Sequence, residues 1–295
     1  MKIKIKKAIL SLSDKSNLQP LLKCLKKNKI QVISSGKTEK TLKTMNFHSI
    51  NVSSYTGFNE ILGGRIKTLH PKIHAGILSV RNNKKHSKDL ENNRYDEIDL
   101  VIVNFYPFEK NLNIKKNTTN LIESIDIGGP TLVRAAAKNF KFVTVITDIN
   151  DYSKLIDELN KNSGYTTLKF RKHLATKAFQ ETAFYESNIS NWFNDKNEIK
   201  FPHKKTFHAK FKEVLRYGEN PHQRGVIYST GENQKLVQLH GKKLSYNNYN
   251  DLYAALRILK SFPQNRGTII VKHSNPCGAS IENNLIKSFQ KTFDC

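Results

Sequence analysis

The first half of the chain alternates short apolar runs with amphipathic segments of helical length, and this rhythm constrains the fold more than any other feature. AILSL (8–12), QVISS (31–35), SINVS (49–53), DLVIVNF (99–105) and FVTVITD (142–148) read as strands, with SNLQPLLKCLKKN and KTEKTLKTMNF as helices between them. Further helices are expected over 152–160 and 167–193, the second ending at the sole tryptophan, Trp192. Such alternation predicts an α/β fold with a doubly wound parallel sheet, in which ligands gather where strand carboxyl ends lead into helix N-termini.

Polar NDKNEIKFPHKK (194–205) interrupts the pattern with charge and a proline, which places a domain boundary at about 198. A strand-rich unit then begins in FKEVLRYGENPHQRGVIYST, and a helix-like NDLYAALRILKSF leads to a strand, TIIVKHS (268–274). No closing element follows KSFQKTFDC, so the domain expected over 199–295 reads as incomplete.

At 295 residues there is room for two cored domains, and 16 Phe and 11 Tyr exclude intrinsic disorder. The 49 Lys+Arg against 25 Asp+Glu invite a nucleic-acid or membrane reading. Only nine of the 49 are Arg, and the lysines are scattered instead of forming one arm or stripe, so no specific nucleic acid is expected. Cys24, Cys277 and Cys295 have neither zinc nor disulfide spacing, which predicts no metal and a reduced compartment. With no signal-peptide core and no apolar span of about 20 residues, a cytoplasmic protein without a membrane partner is expected.

Two loops at successive strand ends have the composition of phosphate cradles. SLSDKSNL carries Ser13 and Lys15, and SSGKT carries Ser35, Gly36 and Thr38. Either alone reads equally well as an ordinary helix cap; together, with the basic stretch GGRIKTLHPKIHAGIL (63–78) between sheet strands, they suggest one shared anion site. In ESIDIGGPTLVRAAAKN, Asp126 precedes a Gly-Gly-Pro turn that launches a helix with Lys138 about two and a half turns in. NFYPF brings Asn104 and Tyr106 to another carboxyl edge. Farther on, LRYGENPHQ and VKHSNPCGA set basic and imidazole groups beside turn residues, and a cation next to His273 would favour its neutral, basic form.

Taken in order, GFNEILGGRIKTLHPKIHAGIL, NFYPFEK, IDIGGPTLVRAAAKN, LRYGENPHQ, LSYNN and VKHSNPCG resemble the bifunctional purine biosynthesis enzymes that join an IMP cyclohydrolase to an AICAR transformylase. The resemblance implies a methylglyoxal-synthase-like cyclohydrolase domain over 1–198, core about 1–148, followed by the first part of a cytidine-deaminase-like transformylase domain. It implies ring closure of formyl-AICAR to IMP without a cofactor. It also implies formyl transfer to AICAR with 10-formyltetrahydrofolate as co-substrate, and a homodimer.

By that resemblance Ser13, Lys15, Ser35, Gly36, Thr38, Lys67 and Thr68 hold the nucleotide phosphate. Arg65, Asn104, Asp126 and Ile127 surround the base and its carboxamide, and Lys138 with Tyr106 moves protons. Arg216 and Tyr217 bind AICAR, His273 is the general base and Lys272 its electrostatic partner, Asn247 and Asn248 have no assigned role, and His70 and His74 are structural. The chain departs from the pattern at Lys37, where the family has glycine; strain at a positive φ, or an added cation, is expected there. The family's transformylase domain continues well beyond the length seen here, so formyl transfer is expected to need another polypeptide. A methylglyoxal-synthase relative, a basic nucleic-acid-binding protein and an inactive truncated pseudo-enzyme remain as alternative readings.

Overall fold

The computed structural model describes all residues except 110–111, 113–117, 231–236 and 264–265. Lys110 of the NFYPFEK motif lies outside the described residues. The chain forms two compact units, Met1–Thr206 and Phe207–Cys295.

The first unit is built on five parallel strands: β2 (Lys7–Leu12), β3 (Gln31–Ser34), β4 (Ile50–Asn51), β5 (Leu100–Asn104) and β6 (Thr144–Ile146). Their spatial order is β4-β3-β2-β5-β6, while β1 (Lys2–Lys4) pairs separately and antiparallel with β7 (Tyr165–Thr167). From β2 the chain winds outward to β3 and β4, then crosses back to β5 and on to β6. The direction of winding therefore reverses between β2 and β5, and the register sets Leu12 opposite Asn104 at the carboxyl ends of those two strands. Ala8, Ile9 and Leu10 and the run Leu100, Val101, Ile102 and Val103 are at most 1% exposed, as a parallel sheet covered on both faces requires.

The first-unit helices are α1 (Leu18–Lys27), α2 (Gly36–Thr44), α3 (Val52–Thr56), α4 (Pro71–Leu78), α5 (Lys84–Asn93), α6 (Thr118–Ile122), α7 (Gly128–Lys138), α8 (Tyr152–Lys161) and α9 (Leu168–Lys196). In α1 the buried residues Leu18, Leu21, Leu22 and Leu25 recur at helical spacing, and Lys26 and Lys27 sit in the last turn, where the helix dipole favours cations. One expectation changes here. The strand read in SINVS shortens to Ile50–Asn51, because the Asn51 side chain accepts the Ser53 N–H and caps α3. In the basic stretch 63–78, Pro71 occupies the first turn of α4, and His70 Nδ1 accepts the Lys72 N–H at 3.1 Å as the cap.

In the second unit β8 (Lys210–Val214) pairs with β9 (Val226–Ser229), and β10 (Thr268–Lys272) with β11 (Asn275–Ser280), both antiparallel. A capping box between Ser245 and Asn248 opens α10 (Tyr246–Ser261), and α11 (Leu285–Phe293) follows β11. The strand expected over 268–274 ends early, since His273 and Ser274 have φ of 51° and 63° and form the two-residue turn of a hairpin. Among the described residues of this unit, Leu215 and Tyr249 are the buried large apolar side chains, whereas Phe211, Tyr228, Ile286 and Phe293 are exposed.

Candidate active site

The reversal point between β2 and β5 is where an open α/β sheet leaves a crevice, and here it is closed by one side chain. Asn104, the last residue of β5, accepts the N–H groups of Ser13 at 2.7 Å and Asp14 at 2.8 Å on Oδ1. It donates Nδ2 to the Asp14 carbonyl at 2.8 Å. The loop after β2 is thus fixed by β5. Its neighbour β3 contributes through α2: Thr38 Oγ1 accepts the Leu12 N–H at 2.9 Å and donates to the Leu12 carbonyl at 3.3 Å.

Ser35 stands at the N-cap of α2 without a side-chain capping bond, which leaves donors of that helix N-terminus available to an anion. Lys67 Nζ reaches this same end, 3.5 Å from where a Cβ on Gly36 would lie. Gly64 makes that approach possible: its φ is +89°, and a Cβ there would fall 2.6 Å from Lys67 Cε. Lys15, half-buried, has its pKa pushed down, first by burial and then by the charge of Lys37. Lys37 itself lies in α2, is exposed and has no positive φ. The strain expected from a side chain at that position is absent, because the left-handed residue is Gly36, at φ +47°, one position earlier.

The third wall is the start of α7. Asp126 Oδ1 accepts the Gly129 N–H at 2.8 Å, and burial pushes the carboxyl pKa up against the pull of backbone donors from Gly129 and Tyr106. Thr68, buried, lies against Gly128: a Cβ there would be 2.9 Å from its Oγ1. Tyr106 and Ile127 are exposed at this rim. Arg65 is paired with Glu123 across the rim, and Lys67 with Glu60 at 3.2 Å. All four side chains are more than a third exposed, so the pairs are weak and exchangeable.

Sequence reasoning missed Tyr185. Its hydroxyl accepts the Asp126 N–H at 2.8 Å, and its ring packs 5.1 Å from Phe105 and edge-on to Phe108 within a small cluster that includes Ile189 and Trp192. The spacing of Tyr185, Ile189 and Trp192 along α9 marks a buried helix face; nothing in the spacing shows that one member carries a polar contact to the site.

The structure does not bring Lys138 to this edge. Gly128 opens α7 beside Thr68, and Lys138 is its last residue, so the 11-residue helix separates them by about 15 Å. At that far end Asn139 donates to the carbonyls of Ile77 at 2.7 Å and Ser79 at 2.8 Å, beyond the last turn of α4. Both helices run from the carboxyl edge of the sheet to the amino edge, and Lys138 lies exposed on the latter.

In the second unit Arg216 lies over the ring of Tyr217, 4.9 Å from its centroid, and donates to the Tyr217 hydroxyl at 3.1 Å. Bonds from Arg216 and Ser245 push that phenol pKa down. Asn248 is spent on the capping box, and Asn247 Nδ2 donates to the Glu219 carbonyl at 3.0 Å. Lys272 and His273 are exposed at the hairpin tip, which is tied to α10 by the Ser274 N–H donating to Asp251 at 2.7 Å.

Residues 136–295 match the family model described as AICARFT/IMPCHase bienzyme, and residues 17–131 match that of the MGS-like domain. The chain belongs to the AICARFT/IMPCHase bienzyme family. It is 43% identical to the bifunctional purine biosynthesis protein PurH of Bradyrhizobium diazoefficiens, over 99% of this chain and 56% of that protein. To PurH of Persephonella marina it is 45% identical, over 97% of this chain and 57% of that one. The chain therefore spans somewhat more than half the length of the curated relatives it matches. The crystal structure of ForH is similar at a TM-score of 0.58 and 28% identity, covering 64% of this chain and 97% of ForH.

Proposed function

We propose that the first unit closes the purine ring, converting formyl-AICAR to IMP as an IMP cyclohydrolase. The observation that carries the reading is the convergence of Ser13, Lys15, Thr38, Lys67, Thr68, Asn104 and Asp126 on the crevice between β2 and β5. The phosphate is assigned to the start of α2 with Lys67 and Lys15, and the base to the rim formed by Arg65, Asn104, Asp126 and Ile127.

In the reaction the carboxamide nitrogen bonds to the formyl carbon and gives up one proton. The formamido nitrogen gives up a second as the C=N bond forms, and the formyl oxygen takes both and departs as water. Asp126 is suited to this traffic, because its raised pKa brings the carboxyl nearer the working pH, and Tyr106 stands beside it. The Gly129 N–H at the start of α7 holds the Asp126 carboxyl in place for this exchange. Holding the two reacting groups of one molecule together supplies the rest of the acceleration.

For the second unit, Arg216, Tyr217, Lys272 and His273 are proposed as one wall of an AICAR site. Arg216, Lys272 and His273 lie on an open surface, so formyl transfer from 10-formyltetrahydrofolate needs further protein to enclose it. A homodimer is carried over from the resemblance on the same footing.

The test is turnover of synthetic formyl-AICAR by the full chain, followed by the ultraviolet change as IMP forms, with Asp126→Asn and Lys138→Ala beside it. Asp126→Asn is expected to cut turnover at least about 100-fold, and Lys138→Ala to leave it within about threefold. Absence of turnover in the folded unmodified chain would reject the reading. Loss in Lys138→Ala would show that this lysine reaches the crevice from a second copy of the chain.

A further inference from the structure

Two cations of the crevice, Arg65 and Lys67, are carried by one short hairpin. Ile61 and Ile66 exchange backbone hydrogen bonds at 3.2 Å and 3.4 Å, and the chain reverses between them through Gly63 and Gly64, at φ of 62° and 89°. With 61 opposite 66, residues 60 and 67 face each other one step farther out, where antiparallel pairing brings side chains close. The register thus sets a carboxylate, Glu60, against the lysine assigned to the phosphate.

Glu60 Oε2 lies 3.2 Å from Lys67 Nζ. Among the described residues that Nζ makes this ion pair and no hydrogen bond, so charge alone holds the pair and the three ammonium donors stay unspent. The same Nζ comes to 3.5 Å from where a Cβ on Gly36 would lie, at the first residue of α2. One ammonium is therefore shared by two places for an anion, an internal carboxylate and the start of α2. The Glu60 side chain is 54% exposed, so it can turn out to water at little cost.

We propose that Glu60 is a built-in competitor for the phosphate of the ligand. It occupies Lys67 while the crevice is empty and is displaced to water when a phosphate monoester docks at the start of α2. The affinity of the site is thereby set below what its cations alone would give. Glu60 touches no reacting atom, and substrate, transition state and product carry the same phosphate, so the displacement weakens the binding of all three alike. Product release gains from it, because the carboxylate is at hand to take Lys67 back. This inference rests on the reading of the crevice as a nucleotide site.

The test is titration with IMP by calorimetry of the full chain, Glu60→Gln, Lys67→Met and the double variant, all at one salt concentration. Glu60→Gln should tighten IMP roughly twofold to fivefold, the range of an exposed ion pair. In turnover its KM should fall by the same factor with kcat unchanged, the mark of an effect on uniform binding. Lys67→Met should weaken IMP, and in that background the gain from Glu60→Gln should vanish, since no ammonium is left to compete for.

A glutamate that merely holds Lys67 in place for the ligand gives the opposite sign, so weakened IMP binding in Glu60→Gln would overturn the proposal, as would unaltered binding. A gain that persists undiminished beside Lys67→Met would also overturn it, by assigning the effect to net charge instead of to this pair. If the unmodified chain binds no IMP, the reading of the crevice fails and the inference falls with it, an outcome visible before any variant is made.

Discussion

Thr38 is carried over from the family as a phosphate contact, but its hydroxyl is fully engaged inside the fold, and this gives a sharp prediction. Thr38 is 3% exposed, and Oγ1 both accepts from the N–H and donates to the carbonyl of Leu12, the last residue of β2. Valine has the same shape without the hydroxyl. Each buried backbone group left without a partner costs about 1–3 kcal/mol. The 3.3 Å bond to the carbonyl is the weaker of the two, so Thr38→Val should destabilise by about 2–4 kcal/mol. Thr38→Ser keeps both bonds and gives up one methyl, about 0.8 kcal/mol. For a unit of this size the middle of the valine range lowers the melting temperature by roughly 6–12 °C. Trp192 is the sole tryptophan and is 8% exposed in the first unit, so its fluorescence reports that unit's unfolding in the whole chain. If valine and serine unfold within about 0.5 kcal/mol of each other, the hydroxyl is not holding the end of β2 and the argument is wrong.

Two further perturbations follow from buried charged groups. Arg171 is fully buried and donates to the carbonyls of Phe140, Lys141, Thr166 and Met1, so Arg171→Leu should cost about 3–5 kcal/mol by leaving those acceptors dry. The same Trp192 unfolding curve checks it, and a neutral result would remove the guanidinium as a staple of this corner. Asp126 has its pKa raised by burial, so the folded state holds that proton more tightly than the unfolded one. The stability it lends is present below the ordinary carboxylate value of about 4 and is lost as pH rises from there through the raised folded-state value. Asp126→Asn should therefore stabilise the chain at pH 7 and lose that advantage at about pH 4, which unfolding midpoints at the two pH values would show; a larger gain in acid would refute the sign.

How legible the site was depended on whether a residue acts near its own place in the chain. The phosphate loops at Ser13 and Ser35 could be read because a strand end, a turn and a helix start are all written within a few residues. The sequence places Asn104 at a carboxyl edge but does not show its clamp on Ser13 and Asp14, since those residues are about 90 positions away and meet only because β2 and β5 are neighbours. Lys138 shows the converse. A count of turns along α7 gave its place on the helix correctly, but the direction of the helix across the sheet puts it at the opposite edge from Asp126. The sequence sets His273 beside Lys272, but its place at an exposed hairpin tip follows from the strand Asn275–Ser280, whose proline and glycine mask it.

The sequence by itself determined the period of the first unit, strand, helix, strand, because uninterrupted apolar runs and amphipathic segments have different ways of burying themselves, and each is a local pattern. It also determined the family, through ordered motifs. Only the tertiary structure decided the strand order β4-β3-β2-β5-β6, and with it which loops share a crevice. That order depends on which apolar faces pack against one another over long stretches of chain, and the contacts of Asn104 and Asp126 come from the neighbours so acquired.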